Sequence, residues 1–436
     1  MLNKKIFFIF IFAFLIRLIA LNQSLWLDEA VTANVVKNYG FTQIISRFSP
    51  SDFHPPLYYL FIKLWTNFFG YSEIALRTPS VLFSLTTGYV VYLVAGVWGA
   101  VFFLFNPLII YYSQEARMYM MATFFLTVAL YYFLKNKNQI LFGLFISLAF
   151  LTFYGSIFLI AAMFIYLLFR KQYKTFFVSC FMFLVSVMLV SPLLSQQFLH
   201  SKIALNNIVN WSAVLGKASL KNLLLIPIKF SIGRISFYPK WLYWGIAGVW
   251  TGLILYQISK IKYQSDGLKL KNVNLMLYFL ILPLVLGFII SFFTPMLQYF
   301  RFIFLIPIMA MILATSNNTS MYRYIEVIGF TIFSLIYLLF PQFHREDWKN
   351  LVKSLPKDKL VYMITASSDP VKYYNNKLVI KELQTANFGL KEKEIIVIPY
   401  AADIYGLDYK NLLSKNGYKL KKEVSFREVS YEQWIK

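Results

Sequence analysis

Apolar runs long enough to cross a lipid bilayer recur through the first three-quarters of the chain, and no other feature narrows its possible folds as much. Inside hydrocarbon every backbone N–H and C=O must find a partner within its own segment or a closed barrel, so runs of this kind imply helices. Charge is correspondingly thin. Only 14% of the 436 residues are Asp, Glu, Lys or Arg, against roughly 25% in ordinary soluble domains. These features exclude a cytosolic globular enzyme and predict a polytopic α-helical membrane protein. Spans are expected at 6–22, 77–95, 97–112, 117–134, 139–153, 156–170, 174–193, 240–259, 274–293, 298–315 and 324–341, about eleven in all.

The charge balance, 42 Lys+Arg against 19 Asp+Glu, gives +23 and raises the question of nucleic acid. Placement argues against it. Residues 1–342 hold seven acids, and the last 94 residues hold the other twelve beside 17 Lys+Arg. A basic excess beside spans reflects topology and attraction to lipid headgroups. Alternate loops carry Lys4/Lys5, Lys135/Lys137, Arg170/Lys171/Lys174, Lys260/Lys262/Lys269/Lys271 and Arg323, which the positive-inside rule places in the cytoplasm. The N-terminus is then inside, and an odd span count puts the C-terminus outside a plasma membrane. The first apolar run lacks a small-residue cleavage site and is interrupted by Arg17, so it reads as an uncleaved span rather than a signal peptide. Cys180 is the single cysteine, so no intrachain disulfide forms and exterior parts fold by their cores alone, which suits a bacterium or archaeon.

Three exterior pieces are long. Residues 23–76 are broken by Pro50 and Pro55–Pro56, after which Leu57–Phe69 is expected as an interfacial helix. Residues 194–239 carry Lys202, Lys217, Lys221, Lys229 and Arg234 and no acid. Together with the spans these make a membrane domain over 1–342. Residues 343–436 form the third piece, an exterior α/β domain with strand-like runs at Leu360–Thr365 and Glu394–Ile398 and helix-like stretches at Trp348–Leu355 and Tyr409–Asn416.

Four short motifs carry chemistry. In Trp26-Leu27-Asp28-Glu29, two adjacent acids sit at the outer edge of the first span, where ionisable groups are costly and point to function. One of them suits a general base for a substrate hydroxyl. In Asp52-Phe53-His54-Pro55-Pro56-Leu57-Tyr58-Tyr59, the prolines set a helix start and hold His54 near its N-terminus, where anions are favoured. Tyr111-Tyr112-Ser113-Gln114-Glu115-Ala116-Arg117-Met118-Tyr119 places Glu115 and Arg117 on the same face, as a site or as a plain ion pair. Arg301, in Gln298-Tyr299-Phe300-Arg301-Phe302, either snorkels to headgroups or binds a phosphate.

In their order, WLDEA, DFHPPLYY, SQEARMY and QYFRFIFLIP resemble the polytopic glycosyltransferases of the C-type fold, in the protein O-mannosyltransferase-like group (glycosyltransferase family 39), itself similar to the lipid A aminoarabinose transferases. The tail segment His344-Arg345-Glu346-Asp347-Trp348 resembles the start of the exterior domain in bacterial members. The resemblance implies transfer of a sugar, hexosyl or pentosyl, from a polyprenyl-phosphate carrier to an exterior-face acceptor hydroxyl on a protein, lipid or glycan, with inversion. It implies Asp28 as base with Glu29 beside it, Glu115 as the second acidic motif, and His54, Arg117 and Arg301 at the donor phosphate. Asp52, Tyr58 and Tyr119 fall in the same motifs as substrate-binding candidates.

Two departures stand out. Where many relatives carry a His-Tyr pair, this chain has Phe153-Tyr154, and the second residue of the usual Arg-Tyr pair is Phe302. His54, His200 and His344 are widely separated, so no metal-ligand spacing appears. Two or three carboxylates could take a hard divalent cation, but no motif supports one, and no cofactor is firmly implied. A transporter or flippase of a lipid-linked substrate is the reading from another class. It would place ionisable groups at mid-membrane on repeated halves, whereas here the acids gather at one face. A catalytically inactive relative is the third.

Overall fold

The first expected span folds as a helix, Lys4–Leu18, and its arginine explains how so short a helix is held. Arg17 is fully buried and donates to Ser84 Oγ (3.1 Å), the Ala13 carbonyl (2.8 Å) and the Leu104 carbonyl (2.8 Å), clamping the helix to the one that spans Glu73–Leu104. This computed structural model describes residues 4–136, 138–259, 273–315, 320–356, 359–383 and 392–436. Lys137, Lys260, Lys262, Lys269 and Lys271 of the expected cytoplasmic loops lie outside the described residues.

Among the described residues, Glu73–Leu104, Tyr173–Asn207, Val273–Ile290 and Met321–Leu339 are long and apolar enough to cross a membrane. Shorter apolar helices, Tyr119–Leu134, Gln139–Thr152, Tyr154–Phe169 and Tyr299–Thr315, accompany them. The chain is a multi-pass membrane protein.

The stretch 97–112 does not form the single span expected. Gly96 adopts φ 71°, ψ −164° inside Glu73–Leu104 and turns the helix there, a conformation open to glycine. The helix then stops at Leu104, and Asn106 caps a new short helix, Pro107–Ser113, by accepting from the Leu108 and Ile109 amides at 3.0 and 3.2 Å. Residues 99–122 are buried throughout, so this broken segment lies inside the protein rather than against lipid.

The helix expected at 174–193 runs instead from Tyr173 to Asn207, about 52 Å at 1.5 Å per residue. Pro192 sits inside it without ending it, as prolines in membrane helices often do. Its C-terminal part therefore occupies the beginning of the 194–239 segment. A helix appears over Leu57–Phe69 with the expected bounds, burying Tyr58, Tyr59, Ile62 and Thr66 and leaving Leu64, Phe68 and Phe69 exposed.

The chain enters its tail through a short turn at Pro341–Phe343. Five strands, β1 (Val361–Met363), β2 (Ile380–Glu382), β3 (Glu394–Val397), β4 (Lys419–Phe426) and β5 (Val429–Ile435), form one sheet in the order β2-β1-β3-β5-β4. β1 pairs in parallel with β2 and β3; β5 is antiparallel to β3 and β4. Alternation along β1 sends Val361 and Met363 to the face covered by Trp348–Ser354. Tyr362 and Ile364 go to the face packed by Leu413 of Tyr409–Lys415.

Candidate active site

The first motif is anchored from below by one buried ion pair. Arg77 donates to both oxygens of Glu29 (2.8 and 2.6 Å) and to the carbonyls of Leu21, Gln23 and Ser24. Glu29 also accepts from the Ala116 amide at 2.7 Å and more weakly from the Trp26 amide at 3.4 Å. Here the structure departs from the sequence reading, which set Glu29 beside Asp28 as a catalytic acid. Glu29 is completely buried and its oxygens are occupied, so it holds the loop rather than facing a substrate.

Asp28 points the other way. It lies in the first turn of Leu27–Asn38, where the helix dipole favours a carboxylate, and its side chain is 37% exposed. Arg117, buried, comes within 3.5 Å of Asp28 Oδ2 and of the Tyr59 hydroxyl and within 3.4 Å of the Asp28 carbonyl. Asp52 faces the same guanidinium and lies 3.5 Å from His54 Nδ1. Burial raises the Asp52 carboxyl, but His54 and Arg117 outweigh it and hold it below the usual carboxylate range. Three of the four motifs therefore meet at Arg117, whose Nε and the second oxygen of Asp52 are buried without a hydrogen-bond partner.

Aromatic rings tie in the rest. Phe153 is one of the two departures noted in the sequence. Its ring stacks on His54 at 6.5 Å and meets Tyr119 edge-on at 5.7 Å, and Tyr119 in turn meets Phe300 at 5.7 Å. Arg301 lies 5.9 Å over the Phe300 ring and donates weakly to the Pro295 carbonyl, at 3.5 Å. Phe302, the other departure, is buried against Phe158. Tyr154 donates to Gln197 Oε1 (2.8 Å), and the Gln197 amide donates to the carbonyls of Ser49 and His54. Tyr58 packs edge-on to Tyr59 with its hydroxyl buried and unpartnered. The donor-phosphate candidates thus share one aromatic-walled corner.

Glu115 belongs to a second cluster. It does not pair with Arg117 but with Arg345, whose Nη2 and Nε lie 3.2 and 3.3 Å from Glu115 Oε1. Arg345 also stacks on the Trp26 ring at 3.7 Å. Arg234 donates to the Tyr111 hydroxyl beside it. Burial pushes the Glu115 carboxyl up, with Arg345 opposing that shift. Spacing could not have revealed Arg77, Arg234 or Arg345 as partners, since they lie far from the motifs in sequence. Only Arg345 carried a signal, inside the His344–Trp348 segment. Among the described residues no group of three His, Cys, Asp or Glu side chains could hold a metal ion.

The comparisons with known proteins agree with this architecture. Residues 53–195 match the model of the dolichyl-phosphate-mannose-protein mannosyltransferase family. The fold is similar to that of ArnT from Cupriavidus metallidurans bound to undecaprenyl phosphate, with 11% identity, a TM-score of 0.56, and coverage of 99% of this chain and 98% of that one. The apo form of the same protein aligns over the same shares at a TM-score of 0.49. No curated protein matches the sequence. The family resemblance is borne out by the family model over 53–195, which covers SQEARMY and all but the first residue of DFHPPLYY, and the expected fold by the likeness to ArnT.

Proposed function

We propose that this protein is an integral-membrane glycosyltransferase that moves a monosaccharide from a polyprenyl-phosphate carrier to an acceptor hydroxyl on the exterior face. The observation that carries the reading is the pairing of a half-exposed carboxylate, Asp28, with a buried cation, Arg117, at the meeting point of three motifs. The family match and the fold shared with a protein solved with undecaprenyl phosphate supply the carrier class. An inside N-terminus and an exterior tail complete the proposed topology.

In the proposed step the acceptor oxygen attacks the anomeric carbon while its proton passes to Asp28. The bond from that carbon to the phosphate oxygen breaks on the opposite face, and the polyprenyl phosphate leaves with the electron pair, so the configuration inverts. A phosphate is a good leaving group and needs cations more than an acid. Arg117, His54 and Arg301 meet that need, with Asp52 holding His54 and Gln197 fixing its loop. Glu29 and Arg77 set the height of Asp28.

The test is transfer of radiolabelled sugars from polyprenyl phosphate to host membrane extract by purified protein, wild type beside Asp28→Asn. The variant is expected to insert and fold normally and to lose activity by a factor of about 10³. Transfer at the wild-type rate would remove Asp28 as base. Labelling of Asp28 from both sides of the membrane in turn would favour transport instead.

A further inference from the structure

Three consecutive residues just ahead of Asp28 are each held by the tail. The Lys349 backbone amide donates to Ser24 Oγ at 3.1 Å, the Leu25 amide donates to Tyr374 Oη at 2.9 Å, and the Arg345 guanidinium lies 3.7 Å over the Trp26 ring. Trp26 is the residue from which the helix Leu27–Asn38 starts, and Asp28 is in its first turn. Further along that helix the Asn34 side-chain amide donates to Asp369 Oδ1 at 2.7 Å. The helix that carries the proposed base is thus gripped by the tail at its start and again about two turns later.

Arg345 differs from the other contacts because it touches both halves of the site. Besides stacking on Trp26, its Nη2 and Nε lie 3.2 and 3.3 Å from Glu115 Oε1. Glu115 stands in the turn between Pro107–Ser113 and Tyr119–Leu134, two residues before Arg117. That turn is also pinned to the membrane part: the Ser80 hydroxyl donates to the Glu115 carbonyl at 2.5 Å, and the Ala116 amide donates to Glu29 at 2.7 Å. One guanidinium therefore bridges the residue two before Asp28 and the residue two before Arg117. Arg345 is itself held in place. Arg427 Nε donates to its carbonyl at 2.6 Å, the Asp347 amide donates to the Arg427 carbonyl at 3.0 Å, and His344 Nε2 lies 2.9 Å from the Tyr337 carbonyl.

The proposed chemistry depends on the spacing of Asp28 and Arg117, whose side chains stand 3.5 Å apart. A base and a cation that act on the two ends of one displacement must keep their separation, and a shift of about 1 Å costs up to about a hundredfold in rate. A guanidinium suits the task of fixing it. Its planar fork meets a carboxylate along one edge while its face rests on an aromatic ring, which a lysine ammonium does not reproduce. We propose that Arg345 is a positioning residue of the active site, contributed by the tail, that sets Asp28 and Arg117 opposite each other by gripping the residues just ahead of both. This rests on the reading of Asp28 as base and Arg117 as phosphate partner, while the grip itself stands on the contacts above.

Two experiments on full-length protein in detergent test it. The first is hydrogen exchange, read by mass spectrometry over residues 24–38. Arg345→Met is expected to speed exchange there about tenfold, and unchanged exchange overturns the grip whether or not the protein transfers sugar. The second is kinetic, with the extract fraction that accepts label. Arg345→Met is expected to lower kcat about a hundredfold and to leave donor and acceptor KM within about twofold, since a positioning residue touches neither substrate. Lys349→Met is the control. It breaks the Lys349–Glu73 pair (2.9 Å) at the same seam but leaves Arg345 in place, and it is expected to keep kcat within about twofold. An equal loss in both variants would make the effect one of general docking and overturn the assignment, as would a raised KM with kcat unchanged. Arg345→Lys keeps a cation without the planar fork and is expected to fall between, with kcat lowered about tenfold. Should Arg345→Met not fold, Arg345→Lys carries the test, and a wild-type kcat there overturns the positioning role. Absence of transfer by wild type is a separate failure: it overturns the base reading, and the exchange result alone then decides whether Arg345 grips the two turns.

Discussion

Replacing Arg77 by methionine removes five hydrogen bonds and one charge from the floor of the site. Glu29 would remain fully buried as a lone carboxylate, and the carbonyls of Leu21, Gln23 and Ser24 would lose their donor. Breaking one side of a buried ion pair costs about 4 kcal/mol, most of it from the uncompensated charge left behind. Arg77→Met is therefore expected to lower stability by that amount and to lower kcat as well, because Asp28 shares the helical turn with Glu29. Adding Glu29→Gln removes the stranded charge while keeping an acceptor for the Ala116 amide, whose bond is 2.7 Å. The double variant is expected to recover about 2 kcal/mol of the loss. Unfolding in mixed micelles, followed by circular dichroism, gives the four corners of this cycle. Arg77→Met as stable as wild type, or a double variant weaker than Arg77→Met alone, would refute the assignment of Glu29 as an anchor.

Two further outcomes follow from local geometry. Burial raises the Glu115 carboxyl above its ordinary range, so the native state keeps a proton in a window above about pH 4.5 where the unfolded chain has lost it. The unfolded state then binds fewer protons, and stability falls as pH rises through that window. Unfolding midpoints measured across it should fall for wild type and stay flatter for Glu115→Gln; parallel curves would count against the shift. Gly216 has φ +95°, and a Cβ there would sit 2.5 Å from the Leu297 carbonyl oxygen. Gly216→Ala should cost about 2 kcal/mol, seen as a lower melting temperature, and loosen the segment that leads to Arg301.

Hydrophobic runs and proline breaks made most of the membrane part legible in advance. Leu57–Phe69 appears with its expected ends because Pro55–Pro56 starts it and Gly70, at φ +77°, stops it. The tail elements followed from alternation in runs such as Glu394–Ile398. What could not be read was interior against lipid-facing. The stretch 97–112 looks like a span because its residues are apolar, yet it is apolar by being core, and Asn106 breaks it for a cap that composition does not announce. The site was legible as four motifs but not as two clusters. Glu115 and Arg117 are neighbours but point to different partners, and those partners, Arg345 and Asp28, are separated from them by long stretches of chain. Proximity in sequence suggested a pair that the turn between two helices pulls apart.

The long helix Tyr173–Asn207 measures the membrane it stands in. At roughly 52 Å it exceeds the ~30 Å hydrocarbon layer, and Lys174, with Arg170 and Lys171 just before it, makes its first end basic. Well beyond the middle stands Gln197, whose amide grips the carbonyls of Ser49 and His54. The height of that amide over the bilayer depends on how far the helix tilts to match the lipid, and tilt follows thickness. A thinner or thicker bilayer therefore moves the loop that carries His54 relative to Arg117, which is held by other elements. Membrane thickness becomes an input to the corner where His54 and Arg117 meet, and lipid acyl length a variable that reshapes it without touching a single side chain.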